Sequence, residues 1–173
     1  MDPHAAILLA QILDISKETV ITALEDFAPA FGRGETIKYK GHDVRIFLSK
    51  NPTGFNQTID TVHALNAKTV LLALNDKIAD GQDVSWIWDV DFEGLVEFAD
   101  NIIITGDRAE DMGLRIKYTS GQMANGKWQI ERDSEDALGA ALKKLSEDET
   151  LYILPTYTAM LDLRKIISGR SIL

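Results

Sequence analysis

Three short and almost wholly apolar runs mark the chain at residues 69–74, 101–105 and 150–154. Runs of this length that are rich in Ile, Leu and Val are typical of strands buried on both faces. They alternate with segments of helical periodicity, which indicates a mostly parallel sheet covered by helices on two sides. The pattern therefore predicts an α/β fold of the three-layer, doubly wound kind.

The segments between these runs predict the covering helices. Phe55, Ile59, Val62 and Leu65 recur at helical spacing, which indicates an amphipathic helix over residues 54–66. Further helices are predicted over residues 92–98, 108–117, 134–145 and 157–167, a hairpin over 36–48, and a short strand over 128–131. A helical layer is thus available for each face of the sheet.

The first thirty residues have a different pattern. Residues 5–13 are apolar nearly all round, Ser16 and Thr19 can open a second helix that runs to Phe27, and Pro29 ends it. Residues 31–35 are predicted to form a flexible joint. We therefore divide the chain into a helical segment, 1–31, and an α/β domain, 32–173. The apolar first helix packs either on this domain or on another one that precedes it.

The predicted topology places four loops together. Right-handed crossovers bring the loops after Leu48, Leu74, Thr105 and Leu154 to the carboxyl edge of the sheet. In α/β proteins this edge collects ligand-binding and catalytic groups. We expect any functional site of the domain to lie there.

The longest of these connections, residues 75–91 (the acidic loop), has the most unusual composition. It contains two tryptophans, Trp86 and Trp88, and five aspartates: Asp76, Asp80, Asp83, Asp89 and Asp91. Carboxylates beside large aromatic side chains are typical of sites with shifted pKa values. A purely structural acidic loop, pinned by two buried indoles, would have the same composition.

The aspartates differ in their local context. Asp80 precedes Gly81 and predicts a turn, whereas Asp83 directly precedes the point where the chain re-enters the core. A carboxylate on such a fixed base can point outward, so Asp83 is favoured as functional. Asp89, between Trp88 and Val90, could be a buried, hydrogen-bonded member of the same network.

Composition excludes several classes of function. The net charge of −9 argues against nucleic acid or an anionic membrane as a partner. The absence of cysteine removes disulfides and thiol nucleophiles, and three scattered histidines predict no metal site. There is no apolar stretch long enough for a transmembrane segment, and we expect a cytoplasmic protein.

Catalytic motifs are missing as well. The sequence has neither a phosphate-binding glycine loop nor a nucleophilic serine elbow. This argues against an autonomous kinase, dehydrogenase or hydrolase. It favours a domain that contributes side chains to a site completed elsewhere.

Five sequence blocks resemble one known family. They are residues 31–35, 50–56, 74–76, 79–89 and 154–161, and the block Ala79-Asp80-Gly81-Gln82-Asp83-Val84-Ser85-Trp86-Ile87-Trp88-Asp89 is the most specific. Together they resemble the C-terminal domain of MurT, the Mur-ligase-like subunit of bacterial lipid II isoglutaminyl synthase. The resemblance implies the same Mur-ligase C-terminal fold.

The resemblance also implies a partner. MurT pairs with GatD, a glutamine amidotransferase subunit whose active site has a Cys and a His, and an Asp of MurT is implied to complete that triad. On this chain the role falls to Asp83 first and Asp89 second. The expected interface with a GatD-like subunit includes Asp76, Asp83 and Trp86.

The resemblance further implies a nucleotide site shared with a central domain. That domain would bind ATP and Mg²⁺, and residues 1–31 would be its tail. Arg33 lies at the matching hinge, and Lys50, Asn51 and Asn56 lie on the matching first loop, as candidate contacts to nucleotide or substrate. This chain alone would bind no cofactor.

The implied activity of the whole enzyme is amidation of the α-carboxylate of D-isoglutamate in the lipid II stem peptide, with ATP and glutamine. The isolated chain is expected to be inactive. The alternative is a non-catalytic interaction module that docks a partner through an acidic rim, and a weaker one is a small-ligand-binding domain.

Overall fold

The computed structural model of the chain describes residues 3–25, 32–119 and 126–169. The helices within these ranges are α1 Pro3–Ile12, α2 Lys17–Glu25, α3 Pro52–Ala64, α4 Phe92–Phe98, α5 Ala109–Lys117, α6 Ser134–Leu142 and α7 Tyr157–Ser168. The strands are β1 Arg33–Tyr39, β2 His42–Phe47, β3 Thr69–Ala73, β4 Asn101–Thr105, β5 Trp128–Ile130 and β6 Leu151–Pro155. A 3₁₀ turn, Ser85–Asp89, lies within the acidic loop.

The strands form one sheet in the order β1-β2-β6-β3-β4-β5. The β1–β2 hairpin is antiparallel, and every other neighbouring pair is parallel. β6, the last strand in sequence, therefore lies between β2 and β3. The predicted doubly wound, mostly parallel sheet is confirmed.

Helices cover both faces of this sheet. Successive side chains of β3 point to opposite sides, so Val70 and Leu72 join the core under α3, α4 and α5, whereas Leu71 and Ala73 join the core under α6 and α7. β3 and β6 are buried along their whole length. The near-continuous apolar runs thus mark strands enclosed on both faces, as the sequence predicts.

The hairpin begins earlier than its sequence suggests. Residues 33–35, predicted as part of a flexible joint, are paired in β1, and Phe31 and Pro29 lie outside the described residues. The Glu35 carboxylate holds this start, because it accepts the Gly32 N–H at 3.0 Å and lies 3.0 Å from Arg164 Nε. Gly32 has φ of +72°, and a Cβ there would overlap the Met160 sulfur.

The two N-terminal helices have an apolar surface open to solvent. Leu8, Leu9, Ile12 and Leu13 are each exposed by more than half, and Ile12 reaches 77%. The sequence predicts a first helix that is apolar nearly all round. Part of that apolar surface is left uncovered by the described chain. No helix within the described ranges is long and apolar enough to cross a membrane.

Candidate functional site

The loops predicted to converge do meet at the carboxyl edge of the sheet, which we call the rim. Ser49 N–H donates to the Pro155 carbonyl at 3.0 Å, and Thr156 N–H donates to the Ala73 carbonyl at 2.9 Å. The chain after β3 leads to α4 on one face, and the chain after β6 leads to α7 on the other. The rim between β3 and β6 is therefore a topological switch point, where α/β proteins commonly bind ligands.

Asn75 connects three of the rim loops. Its N–H donates to Thr156 Oγ1 at 2.9 Å, its side-chain amide donates to Thr158 Oγ1 at 3.0 Å, and its side-chain carbonyl accepts the Asp107 N–H at 2.9 Å. Only 3% of Asn75 is exposed. A buried amide with this many partners fixes the relative positions of the loops after β3, β4 and β6.

Asp80 anchors the acidic loop to the start of α7. Its carboxylate accepts the Thr158 N–H at 2.8 Å and the Thr158 hydroxyl at 2.5 Å. A carboxylate bound at the first turn of a helix accepts a hydrogen bond from a free N–H and interacts favourably with the positive end of the helix dipole. The predicted turn is also present, because Asp80 N–H donates to the Lys77 carbonyl at 2.8 Å and Gly81 has φ of +89°.

Two of the cations at the rim, Lys77 and Arg108, are paired with carboxylates. Lys77 Nζ lies 3.2 Å from Asp162 and 3.9 Å from Asp107, and the hydrogen bond to Asp162 raises the pKa of Lys77. Both partners are about half exposed, so such pairs contribute little to stability. They hold the Lys77 ammonium at a fixed place above the switch point.

Asp76 forms a second ion pair at the rim. Its carboxylate lies 3.0 Å from Arg108 Nη1, while Asp111 lies 2.7 Å from Arg108 Nε. The hydrogen bond to Asp111 is the main reason why the pKa of Arg108 is raised. Asp76 was predicted to face a partner, and here its half-buried carboxylate is directed to Arg108.

Asp83 has the geometry that its sequence context suggests. Its side chain is exposed, and one carboxylate oxygen accepts the Ser85 N–H at 2.8 Å. This backbone hydrogen bond lowers the pKa of Asp83. Val84, which follows Asp83 directly, and Ile87 in the 3₁₀ turn are both buried. Asp83 is thus an ionised carboxylate held outward on a packed base.

Asp89 and the indoles differ in part from expectation. The alternative of a buried Asp89 is not realised, because Asp89 is exposed at the end of the 3₁₀ turn. Trp86 is half-buried and its ring lies 6.1 Å from that of Phe55. Trp88 is 50% exposed. The loop is therefore pinned by one indole and not by two.

A buried arginine, which was not predicted from the sequence, holds the 3₁₀ turn. The Arg115 side chain is 7% exposed, and its guanidinium donates to the carbonyls of Ile87 at 3.3 Å and Val90 at 2.7 Å. It also makes a two-pronged pair with Glu93 at 3.1 and 3.0 Å, which lowers the pKa of Glu93. The available signal was its position on the apolar face of α5, where Met112 is also buried.

Two of the candidate nucleotide or substrate contacts, Lys50 and Arg33, lie at the rim. Lys50 is exposed, with its ammonium 5.3 Å from the centre of the Tyr157 ring. Arg33 is exposed and pairs in the hairpin with Phe47, at the carboxyl end of β2. Both cations are therefore at the edge where the other loops converge.

The two asparagine candidates have structural partners of their own. Asn51 caps α3, because its side-chain oxygen accepts the Gly54 N–H at 2.8 Å. Asn56 accepts the Asp91 N–H at 2.9 Å and so ties α3 to the end of the acidic loop. In the described residues, no group of three or more His, Asp or Glu side chains could hold a metal ion.

Comparison with solved structures shows which class of domain has this fold. MurC of Thermotoga maritima, a UDP-N-acetylmuramate-alanine ligase, matches with a TM-score of 0.63 and 14% identity, over 97% of this chain and 36% of that one. MurF of Acinetobacter baumannii gives 0.61 and 17% over 96% and 35%. E. coli FolC, solved with DHPP and ADP, gives 0.59 and 18% over 96% and 38%. The fold is that of a Mur ligase C-terminal domain.

Sequence comparison defines the family. Residues 48–160 match the MurT ligase C-terminal family, and the chain belongs to it. It is 32% identical over 158 residues to lipid II isoglutaminyl synthase (glutamine-hydrolyzing) subunit MurT of Staphylococcus aureus (strain COL), and 31% identical over 173 residues to that of Streptococcus pneumoniae (strain ATCC BAA-255 / R6). These alignments cover 90% and 97% of this chain but only 35% and 37% of the relatives. The chain thus spans about a third of their length.

Proposed function

We propose that this chain is the C-terminal domain of the ligase subunit of a lipid II isoglutaminyl synthase. The whole enzyme would amidate the α-carboxylate of D-isoglutamate in the stem peptide, with ATP and glutamine as co-substrates. The family match over residues 48–160 supports this role, as do the names of the curated relatives.

Within that enzyme, Asp83 would be the acidic member of a triad shared with a GatD-like glutaminase subunit. The observation that carries this proposal is the exposed, ionised Asp83 carboxylate, which the Ser85 N–H orients at 2.8 Å. A group that must act on another chain has to reach the surface and keep one orientation. Asp89, at the end of the 3₁₀ turn, is exposed too and is the second candidate.

The proposed chemistry of the triad follows from the roles of its members. The partner's Cys thiolate attacks the glutamine side-chain carbonyl, and the partner's His transfers a proton to the departing ammonia. Asp83 would accept the other ring N–H of that His, hold its tautomer and stabilise the imidazolium. This role requires an ionised carboxylate, and the hydrogen bond from Ser85, which lowers the pKa of Asp83, favours that form.

The rim would close over a nucleotide and substrate site formed with the rest of the subunit. The relatives of this fold include a ligase solved with ADP. ATP and Mg²⁺ would be bound mainly outside this chain, and Lys50 and Arg33 are the candidate cations for anionic groups. Asn51 already caps α3 and Asn56 already binds the Asp91 N–H, so we assign both asparagines supporting roles.

We further propose that residues 1–31 are the tail of the preceding domain of the subunit. Exposed leucine and isoleucine side chains on α1 and α2 support this, since a surface so apolar is normally covered. The α/β domain would then begin at residue 32, where Gly32 and Glu35 fix the start of the hairpin.

The test is to replace each of the two aspartates by asparagine, in separate variants of the full-length subunit, and to assay each variant together with the glutaminase subunit. Asp83→Asn keeps the size of the side chain but cannot stabilise an imidazolium, so glutamine-driven amidation should fall by about 10⁴-fold. Added ammonia should restore product, because the ligase half needs only the nucleophile. Asp89→Asn is the matched control and should keep glutaminase activity.

The two variants separate the alternatives. If Asp89→Asn is the variant rescued by ammonia and Asp83→Asn stays active, the role belongs to Asp89. If neither variant affects glutamine hydrolysis, this domain supplies no triad member. A non-catalytic docking role through the acidic loop would then be favoured.

A further inference from the structure

Trp88 is a large apolar side chain on the outer surface of the acidic loop. Half of it is exposed, whereas the neighbouring Trp86 is packed against Phe55. The buried members of this turn are Val84, Ile87 and Val90, so the core is closed without the Trp88 indole. An exposed indole on an ordered turn is the kind of side chain that is enriched at the centres of protein interfaces.

The Trp88 side chain is supported from below. The Arg115 guanidinium lies 5.6 Å from the Trp88 ring, within the range of a cation–π contact. The same guanidinium binds the carbonyls of Ile87 and Val90, on either side of Trp88 in sequence. The backbone of the turn and its aromatic side chain are therefore fixed before any partner arrives. A side chain that is already ordered loses little entropy on binding.

The charges around Trp88 indicate the chemistry of the surface that would cover it. Residues 78–98 contain six carboxylates and no Lys or Arg. The buried Arg115 guanidinium is paired with Glu93 and so offsets only one of these six charges. A complementary partner would offer an apolar slot for an indole, bordered by basic side chains.

We propose that Trp88 is the anchor by which this domain docks on the glutaminase subunit, and that Arg115 is a positioning residue that presents it. The inference rests on the proposed function, since it takes the same partner. It adds that binding energy is concentrated on Trp88, a few residues along the turn from Asp83. Docking of the indole would then align Asp83 with the His of the glutaminase. The loop then has separate residues for affinity and for chemistry.

The test is the affinity of the full-length subunit for the glutaminase, measured by isothermal titration calorimetry. Trp88→Ala should weaken binding by about thirtyfold, as expected for a central aromatic anchor. Leu65→Ala is the matched control. It removes another exposed apolar side chain, 38% accessible at the end of α3 and so at the opposite edge of the sheet, and should leave affinity unchanged.

Arg115→Lys tests whether Arg115 acts through Trp88. Lys keeps the charge but cannot make the two-pronged contacts, so affinity should fall. If Arg115 works by presenting the indole, the same change should cause little further loss in a Trp88→Ala background. A full additional loss in the double variant would overturn the positioning role.

The remaining outcomes distinguish this inference from the proposed function. If Trp88→Ala binds as tightly as the wild type while Asp83→Asn abolishes glutamine hydrolysis, the anchor proposal is wrong and the shared triad stands. If the wild-type subunit shows no binding to the glutaminase, both are wrong. Because Trp88 is half exposed, circular dichroism and thermal unfolding of Trp88→Ala should match the wild type.

Discussion

Gly106 lies where two rim loops come into closest contact. It has φ of +104°, and a Cβ there would overlap the Leu74 carbonyl oxygen and come within 2.8 Å of the Asn75 side-chain oxygen. Asn75 must stay in place because it hydrogen-bonds to the loops after β4 and β6. A glycine at this position therefore lets the buried amide connect the loops.

We expect Gly106→Ala to destabilise the domain by about 3 kcal/mol or more, since backbone strain and steric overlap combine. Gly81→Ala is the matched control. Gly81 also has positive φ, +89°, but a Cβ there meets nothing within 4 Å. Gly81→Ala should lower the free energy of unfolding by about 1 kcal/mol, from backbone conformation alone. Urea denaturation of both variants measures the difference, and equal losses would show that the close approach is unimportant.

The partners of individual side chains were the least predictable feature. The sequence places Asp83 and Asp80 in one loop, but Asp80 bonds to Thr158, 78 positions away. Nothing in local composition distinguishes a capping carboxylate from a free one, because the helix that it caps is distant in sequence. The outward position of Asp83 was predictable, because the chain re-enters the core at Val84, directly after it.

At the scale of elements, Arg115 and its ion pair with Glu93 connect the 3₁₀ turn to two helices. Arg115 reaches from α5 to the turn and to Glu93 at the start of α4. The guanidinium has lost its water, so the Glu93 carboxylate is needed to compensate it. The position of Trp88 depends on this contact between α5, the turn and α4.

The lowered pKa of Glu93 makes its contribution dependent on pH. A carboxyl whose pKa is lower in the folded chain stabilises the fold above its ordinary pKa of 4.5, and this is lost as the pH falls through the lowered value. Glu93→Gln should therefore cost about 1 kcal/mol at pH 7, a figure reduced for the half-exposed carboxylate. The difference from wild type should shrink toward pH 3.

Urea denaturation at intervals from pH 7 to pH 3 checks this expectation. Glu97→Gln is the control, since Glu97 is exposed on the same helix one turn further along. It should show no trend with pH. If the loss in Glu93→Gln were the same at pH 3 as at pH 7, ionisation of Glu93 would not be what holds the turn.

Elements with strong periodicity were predictable, and those that depend on tertiary contacts were not. The strands Asn101–Thr105 and Thr69–Ala73 follow from apolar composition alone. The 3₁₀ turn does not, because buried Arg115 supplies its carbonyl partners. The early start of β1 at Arg33 was also missed, since two glycines flank that residue and give no strand signal.

At the scale of the whole molecule, the sequence lacks a phosphate-binding glycine loop. We therefore expect the purified 173-residue chain to fold cooperatively and to show no ATP hydrolysis. A coupled ADP-release assay with the full-length subunit as positive control measures this. ATP turnover that co-purifies with the chain through successive columns would contradict it.

The strand order has a consequence for synthesis of the protein. β6 occupies the centre of the sheet, yet it is translated after every other strand. Until residues 151–155 leave the ribosome, β2 and β3 each present an unpaired parallel edge, which is a template for aggregation. We therefore expect the nascent chain to be prone to aggregation until its last described strand and helix emerge, and premature termination before them should yield insoluble product.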